Sequence, residues 1–553
     1  MRILVVSILL VLTLLGSYYV WQINHPPAVG AWDLVTEEAL VVYERNPNST
    51  IDDAEFLLTS LVPDSLRKSV RNAKELLISL HVIGKEEVGT VLYLPGFLPT
   101  KKDIASLTPN RPATERNFEG YAIIEVPVKN NKVVSIVTID HVLVMSSTSF
   151  LIEDVIRIAK SDLRRSFIQN NKALFQFARM ESDGGHVYVN LSRFPEFLDF
   201  FLLRKDQNSI LNQFARSGVV DIKKEDHTLL FSGFAVDSIK GGSILSLFNQ
   251  QRPVPISLQR IISNRTALLI HYGISDFATW TPGRLEFCKT WRTPLVDSLN
   301  TLQARYGFEV SPFYGALGDE IGLCRGGIFS GKLFITELKN GNQAIRELKK
   351  LRPKNKGEAQ ATENYAHHQI HSLNVPSLPV TLFWPLTNHA MNYYLVTDHH
   401  LIFSEDLNDL KVFIDDLDAE NTWGKSTEWN KFLSTSQETN AGIIFDGVNS
   451  WPSLRTNLAP RWQSFGDSTN FLNLSKASFQ FTRLERSYYF NGILEFNPKR
   501  APAAREHKEK MLEISLTHPV GTPLTVVRNH TTGSSELLAQ DDANTLLLFS
   551  TKL

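Results

Sequence analysis

The sequence predicts an α+β protein: two duplicated antiparallel sheet-plus-helix units after an N-terminal transmembrane helix, closed by a short all-β C-terminal tail. Three observations carry that prediction. The stretch Val133 to Ile156 recurs without gaps at Met391 to Ile414, so that Asp140, His141, Leu143, Ser146 and Ile156 return as Asp398, His399, Leu401, Ser404 and Ile414. Runs with the two-residue period of strands arrive mostly as hairpin pairs with helical stretches between them, the mark of antiparallel α+β units and not of a doubly wound parallel sheet. One charge-free run of eighteen residues, Ile3 to Val20, heads the chain.

That leading run spans ~27 Å as a helix, close to the hydrocarbon thickness of a bilayer. Arg2 precedes it and the acids Asp33, Glu37 and Glu38 follow it. The charge bias keeps the amino end in the cytoplasm and exports the body, an inner-membrane single-pass arrangement with the body in the periplasm or extracytoplasmic space. Tyr18, Tyr19 and Trp21 suit the far interfacial belt and favour a retained signal anchor; a cleaved signal peptide is the alternative.

The rest divides by composition. Residues 32–249 form the first repeat unit, 250–263 a proline-containing linker, 264–500 the second unit, 501–521 a charged linker helix, and 522–553 a β-rich tail. Each unit opens on an apolar run, Ala39 to Glu44 and Ala267 to Tyr272. The recurring hairpin has the two-residue tip Asp-His and runs into a helix. In the second copy Ser404 is expected to cap that helix, and Leu407, Leu410, Phe413, Ile414 and Leu417 share one face. His186 to Phe194 then corresponds to Gly442 to Trp451, and Thr228 to Val236 to Ser487 to Glu495, matching Phe231 with Phe490 and Gly233 with Gly492. Correspondences in one order at offsets of about 230 to 260 point to duplication.

At 553 residues, 43% hydrophobic and 21% charged, the composition is that of a globular protein, and the net charge of -1 supplies no basic stripe for nucleic acid. The phosphate loop, the dinucleotide fingerprint, the HExxH helix and the GxSxG elbow are all missing from the sequence, and neither a catalytic set nor a cofactor is assigned. The two cysteines, Cys288 and Cys324, are either a disulfide or two buried thiols. His367, His368 and His371 are weak metal candidates, since strand alternation turns neighbouring imidazoles apart; a polar loop is the plainer reading. The Asp140-His141 and Asp398-His399 pairs read as turn chemistry before catalysis, and Asp319 and Glu320, on opposite faces of a strand, as a turn-and-edge pair. Trp280, Trp291, Trp384, Trp423, Trp429, Trp451 and Trp462 crowd the second unit, as core or as the lining of a groove.

The run Leu317-Gly318-Asp319-Glu320-Ile321, the stretch Lys332 to Leu351 and the Asp-His hairpin leading to a helix resemble an uncharacterised bacterial family of membrane-anchored envelope proteins, over roughly Trp32 to Phe496. The resemblance implies no activity. It implies longer relatives with a C-terminal β-propeller, whose opening the tail from Thr522 resembles. The functional expectation is a non-enzymatic envelope scaffold or interaction protein, its partners being the lipid bilayer through Ile3 to Val20 and another envelope protein. The alternatives are an exported hydrolase of cell-wall or surface polymers and a carrier for an apolar ligand.

Overall fold

The computed structural model describes residues 29–45, 73, 75–84, 87–96, 113–127, 133–161, 166–176, 185–202, 214–237, 242–291, 294–327, 331–351, 362–435, 438–466, 473–485, 487–497, 518–520, 525–529 and 535–550. The first ten strands are β1 Val41–Glu44, β2 Leu77–Ile83, β3 Glu87–Pro95, β4 Thr114–Phe118, β5 Tyr121–Pro127, β6 Val133–Ile139, β7 Val142–Ser146, β8 His186–Val189, β9 Ser217–Glu225 and β10 Thr228–Val236. The next ten are β11 Leu268–Gly273, β12 Leu317–Arg325, β13 Lys332–Leu338, β14 Thr362–Tyr365, β15 His368–Ser372, β16 Tyr393–Val396, β17 His400–Ser404, β18 Ala441–Asp446, β19 Leu474–Arg483 and β20 Tyr488–Phe496.

All twenty join in one antiparallel sheet. From its first edge the order is β4-β5-β6-β7-β3-β2-β1-β8-β9-β10. It continues through β20-β19-β18-β11-β12-β13-β17-β16-β15-β14. The expected fold class, two duplicated antiparallel sheet-plus-helix units after a transmembrane helix, is therefore corrected: one continuous antiparallel sheet of twenty strands dominates the described residues. The reason is the pairing of β10 with β20, which carries the backbone ladder across the place where two separate units would have ended. What recurs is the pairing scheme, each bond among β1 to β10 having its counterpart among β11 to β20.

The anchor is corrected too. Ile3 to Val20 lies outside the described residues, and among the described residues no helix is long and apolar enough to cross a membrane. The longest of them, Phe277–Trp291, has 15 residues and carries Arg284, Glu286 and Lys289. Its length is ~22 Å, short of a bilayer core. The transmembrane and signal-anchor reading and the inner-membrane placement are set aside accordingly.

Local chemistry explains the recurring hairpin. Ile139 pairs with Val142 across the tip Asp140-His141, and Asp140 takes φ 49°, a left-handed conformation that aspartate tolerates better than most side chains. In the second copy the Thr397 amide donates to the His400 carbonyl at 2.9 Å across Asp398-His399. The helices Ser149–Ser161 and Leu407–Asp418 follow. The cap of the latter is Asp406, whose Oδ1 accepts from the Asn408 amide at 2.7 Å, and not Ser404. Ser404 stays at the strand end, where its Oγ accepts from the Asp406 amide at 3.1 Å. Leu410, Phe413 and Ile414 are buried on the sheet, with Leu407 and Leu417 packed beside them.

Residues directly opposite each other share a face of an antiparallel sheet. On one face of the second half the helices Phe277–Trp291, Pro294–Tyr306, Val310–Gly315, Gly341–Lys350 and Leu378–Phe383 bury a core with Phe334, Phe403 and Tyr488. On the other face Ser149–Ser161 covers Val91 and Val144 in the first half, and Leu407–Asp418 covers Leu333 and Ile402 in the second. Residues 250–263 lie close along the sheet, Val254 bridging Thr439. A second compact unit begins at Lys499 and contains the three-stranded sheet β21 Thr525–Arg528, β22 Ser535–Gln540 and β23 Leu546–Ser550.

The β10–β20 seam is self-complementary. Phe231 stands opposite Gly492 and Gly233 opposite Phe490, so each phenylalanine lies across from the glycine of the other copy. A Cβ on Gly492 would sit 2.8 Å from the Phe479 ring, and one on Gly233 would overlap the Val219 carbonyl oxygen. Gly233→Ala should therefore lower the thermal unfolding midpoint, with a loss of about 1–3 kcal/mol from overpacking against backbone. Gly283→Ala, whose added methyl meets nothing within 4 Å in a helix, should leave the midpoint unchanged or raise it.

Candidate functional site

A buried polar cluster lies where the turn Leu258–Arg260 meets the sheet of the second half. Gly322 on β12 makes room for it, a Cβ there falling 2.9 Å from the Leu258 side chain. Glu320, two residues back, points to the same side. Its Oε1 accepts from the Ser257 amide at 2.7 Å and lies 2.9 Å from His271 Nε2, while its Oε2 accepts from Ser257 Oγ. Burial by itself raises the Glu320 pKa, but the hydrogen bond and charge of His271, with the Ser257 hydroxyl and amide, bring it below the ordinary carboxylate value. His400 also faces this region; burial lowers its pKa to about 4, against the opposing pull of Glu320.

This arrangement clamps, and its order of groups is not that of a serine triad. A serine nucleophile needs the imidazole between itself and the acid, as its base. Here the carboxylate sits between Ser257 and His271. Ser257 donates to it, and His271, fully buried, keeps an enclosed Nδ1 with no hydrogen-bond partner. At the equivalent position of the first half Glu44 takes the place of His271, accepting from Trp32 Nε1 at 2.9 Å and from the Tyr188 hydroxyl at 2.8 Å. Burial, with the Glu44 charge and hydrogen bond added, pushes the Tyr188 phenol upward.

The residues singled out from the sequence are dispersed. Asp319 bonds Lys339 Nζ at 2.6 Å at the surface, while Glu320 is buried on an interior strand and not on an edge. An acid followed by the apolar run Ile321 to Cys324 was the signal for a buried carboxylate with fixed partners. Asp140 and Asp398 stay at hairpin tips; Asp140 Oδ2 accepts from the Val29 amide at 2.9 Å. His367 is at the tip of the β14–β15 hairpin. His368 Nε2 lies 3.5 Å from Asp418, and His371 stacks on Tyr394 with ring centroids 5.0 Å apart. Among the described residues no group of three or more metal-ligating side chains converges. Cys288 lies in the helix-bearing core and Cys324 in the core on the opposite face, and no disulfide joins them. Trp280, Trp384, Trp423 and Trp429 are buried, Trp423 and Trp429 stacked at 3.9 Å; Trp291 is 38% exposed.

A half-open cleft of about 280 Å³ lies in the first half between the end of β2 and the helix Ser149–Ser161. Thr36, Glu37, Glu38, His81, Phe150, Asp154, Arg157 and Ile158 are among its lining. His81 is buried at 3% exposure and lies 2.7 Å from Ser79 Oγ, which lies 3.3 Å from the Tyr93 hydroxyl. Burial, reinforced by the positive charge of Arg193, lowers the His81 pKa to about 4.

A depressed histidine pKa stabilises the fold above the unfolded value of 6.5, and that contribution is lost as pH falls towards 4. For His81 it amounts to something on the order of 3 kcal/mol. The thermal midpoint should thus fall between pH 6.5 and 4, and more steeply in the parent than in His81→Gln, measured by scanning calorimetry across that range.

No protein-family model matches the chain, and no curated protein matches it. Among solved structures, crystal form III of TP0453 is 13% identical with a TM-score of 0.24, over 38% of this chain and 80% of that one. Crystal form I of TP0453 is 10% identical with a TM-score of 0.23, over 38% of this chain and 79% of that one. TM-scores this low do not establish a shared fold.

Proposed function

We propose that the chain is a non-enzymatic interaction protein that holds a protein partner against the waist of its sheet. The supporting observation is an apolar floor at the seam, on the same face as the helical layer of the second half. Leu229, Phe231, Phe479, Phe490 and Leu494 are only half-buried there, and Ile222 is 36% exposed. Phe479 stacks with Phe490 at 6.0 Å and lies 6.2 Å from Phe231. Clustered aromatic rings left partly open on a rigid sheet suit the anchoring side chains of a partner.

Strand addition at the sheet edges is a poorer reading. β4 carries the exposed Glu115 beside Arg116, which pairs with Glu125 and Glu153 at 2.8 Å, and β14 carries Glu363 paired with Lys411. Short charged edges discourage further pairing. Among the described residues the hydrolase alternative draws on the enclosed Glu320 cluster, whose serine donates to the carboxylate. The carrier alternative has the His81 cleft, which is small and lined with carboxylates. That the partner is an envelope protein stays part of the proposal, supported by the resemblance of Leu317 to Ile321, Lys332 to Leu351 and the Asp-His hairpin to an envelope family.

A photo-crosslinking residue in place of Ile222 should capture a discrete protein adduct in cells of the source organism, and Phe231→Asp should reduce that adduct at least five-fold. No adduct, or one equal to that from the same probe at the exposed Val133, would sink the proposal.

A further inference from the structure

The two halves treat one place in the fold in opposite ways. Thr36 bridges Ser166 in the first half and Ser263 bridges Thr422 in the second. With the pairings of Val41 to Leu80 and of Leu268 to Arg325, this equates Thr36-Glu37-Glu38 with Ser263-Asn264-Arg265, and His81-Val82 with Gly326-Gly327. The equal placing of Ser146 and Ser404 beside Val91 and Leu333 equates Ile158 with Asp416.

In the second half the place holds an ion pair whose Arg265 side chain stays 48% exposed. Arg265 Nη2 pairs with Asp416 Oδ1 at 2.9 Å, and Ser263 Oγ donates to Asp416 Oδ2. The Asp416 carboxylate is 2% exposed. Gly327, at φ 68°, lets the strand end close down on this turn, since a Cβ there would overlap the Arg265 carbonyl oxygen. In the first half β2 and β3 stay paired out to Ile83 and Glu87, where β12 and β13 stop at Arg325 and Lys332. The cleft stays open there, and Glu38 stands where Arg265 stands.

The charges around the open cleft are mostly acidic. Glu37 accepts from Asn170 Nδ2 at 2.9 Å, and Glu38 is 68% exposed with Arg193 Nη1 4.0 Å away. Asp154 is 42% exposed and holds Arg157 at 2.5 Å. The Arg157 guanidinium also lies over the Phe118 ring at 5.1 Å, and Arg193 is bonded to Glu196 at 2.8 Å, so both cations are engaged. His81, at the floor, is neutral at pH 7. Phe150, 49% exposed, and Ile158 offer apolar surface for an aliphatic stem.

We infer that this cleft receives an arginine side chain of a protein partner, its stem along Phe150 and Ile158 and its guanidinium among Glu37, Glu38 and Asp154. The inference shares the binding reading of the molecule but uses a surface separate from the seam. Either can therefore fail alone.

The test is fluorescence anisotropy of the full chain with a labelled Leu-Arg-Leu amide, a Leu-Lys-Leu amide and a Leu-Glu-Leu amide. The arginine peptide should bind at least ten-fold tighter than the glutamate peptide and tighter than the lysine peptide. The double substitution Glu38→Lys, Asp154→Lys should weaken it at least ten-fold, and Phe150→Ala at least three-fold, with unchanged thermal midpoints as the folding control. Equal binding of the arginine and glutamate peptides, or binding indifferent to both variants, overturns the inference. A lysine peptide that binds as well as the arginine one overturns the arginine assignment. Loss of the Ile222 adduct with peptide binding intact would fell only the seam proposal.

Discussion

The structure depends on the antiparallel pairing of β10 with β20. Either strand alone would leave a ten-stranded half with a long edge bearing apolar side chains, the kind of surface that recruits further strands. Paired, they close each other in a contact that has the geometry of a twofold dimer interface inside one chain, Phe231 opposite Gly492 and Gly233 opposite Phe490. Glycine is needed at both positions because neighbouring groups approach too closely for a Cβ, the Val219 carbonyl at Gly233 and the Phe479 ring with the Phe231 Cβ at Gly492.

Around that seam the two halves keep their strand pairing and differ in what covers it. The second half carries five helices between β11 and β16 on one face, a layer built around Phe313, Phe334 and Phe383. Arg284 is buried in this layer, donating to the Trp384 and Thr381 carbonyls at 2.9 and 2.5 Å and lying 5.6 Å from the Trp280 ring. Its charge is met by the carbonyl end of the helix Leu378–Phe383, where a cation is favoured. Polar groups of this sort are spent on holding elements in place, as at Glu320, Glu44 and Asp416. Shape and surface are therefore the better basis for a functional reading.

Several local features were legible before the fold was known. The Asp-His tips, the face of the helix Leu407–Asp418 and the matching of Phe231 with Phe490 depend on turn preference, helical period and pleat, all properties of neighbouring residues. Capping was misread by two positions: Ser404 and Asp406 both offer an oxygen, and only the direction of the chain after β17 decides which oxygen meets the helix amides. Glu320 was misplaced for a related reason. An edge strand and an interior strand carry the same alternation, and the difference lies in whether a distant strand and the turn at Ser257 come to rest against it.

The sequence by itself determined the order of strands and turns, the recurrence of their motifs, and the faces that had to be apolar, because these follow from side chains within a few residues of one another. Tertiary structure alone decided that the strands would merge in one sheet, that Glu320 would be enclosed, and that Arg265 would pair with Asp416 in the second half while a cleft lies beside Glu38 in the first. Each of those outcomes rests on hydrogen bonds or ion pairs between residues tens to hundreds of positions apart. Such contacts form only after the loop entropy between them has been overcome, and no local pattern encodes which distant partner will be met.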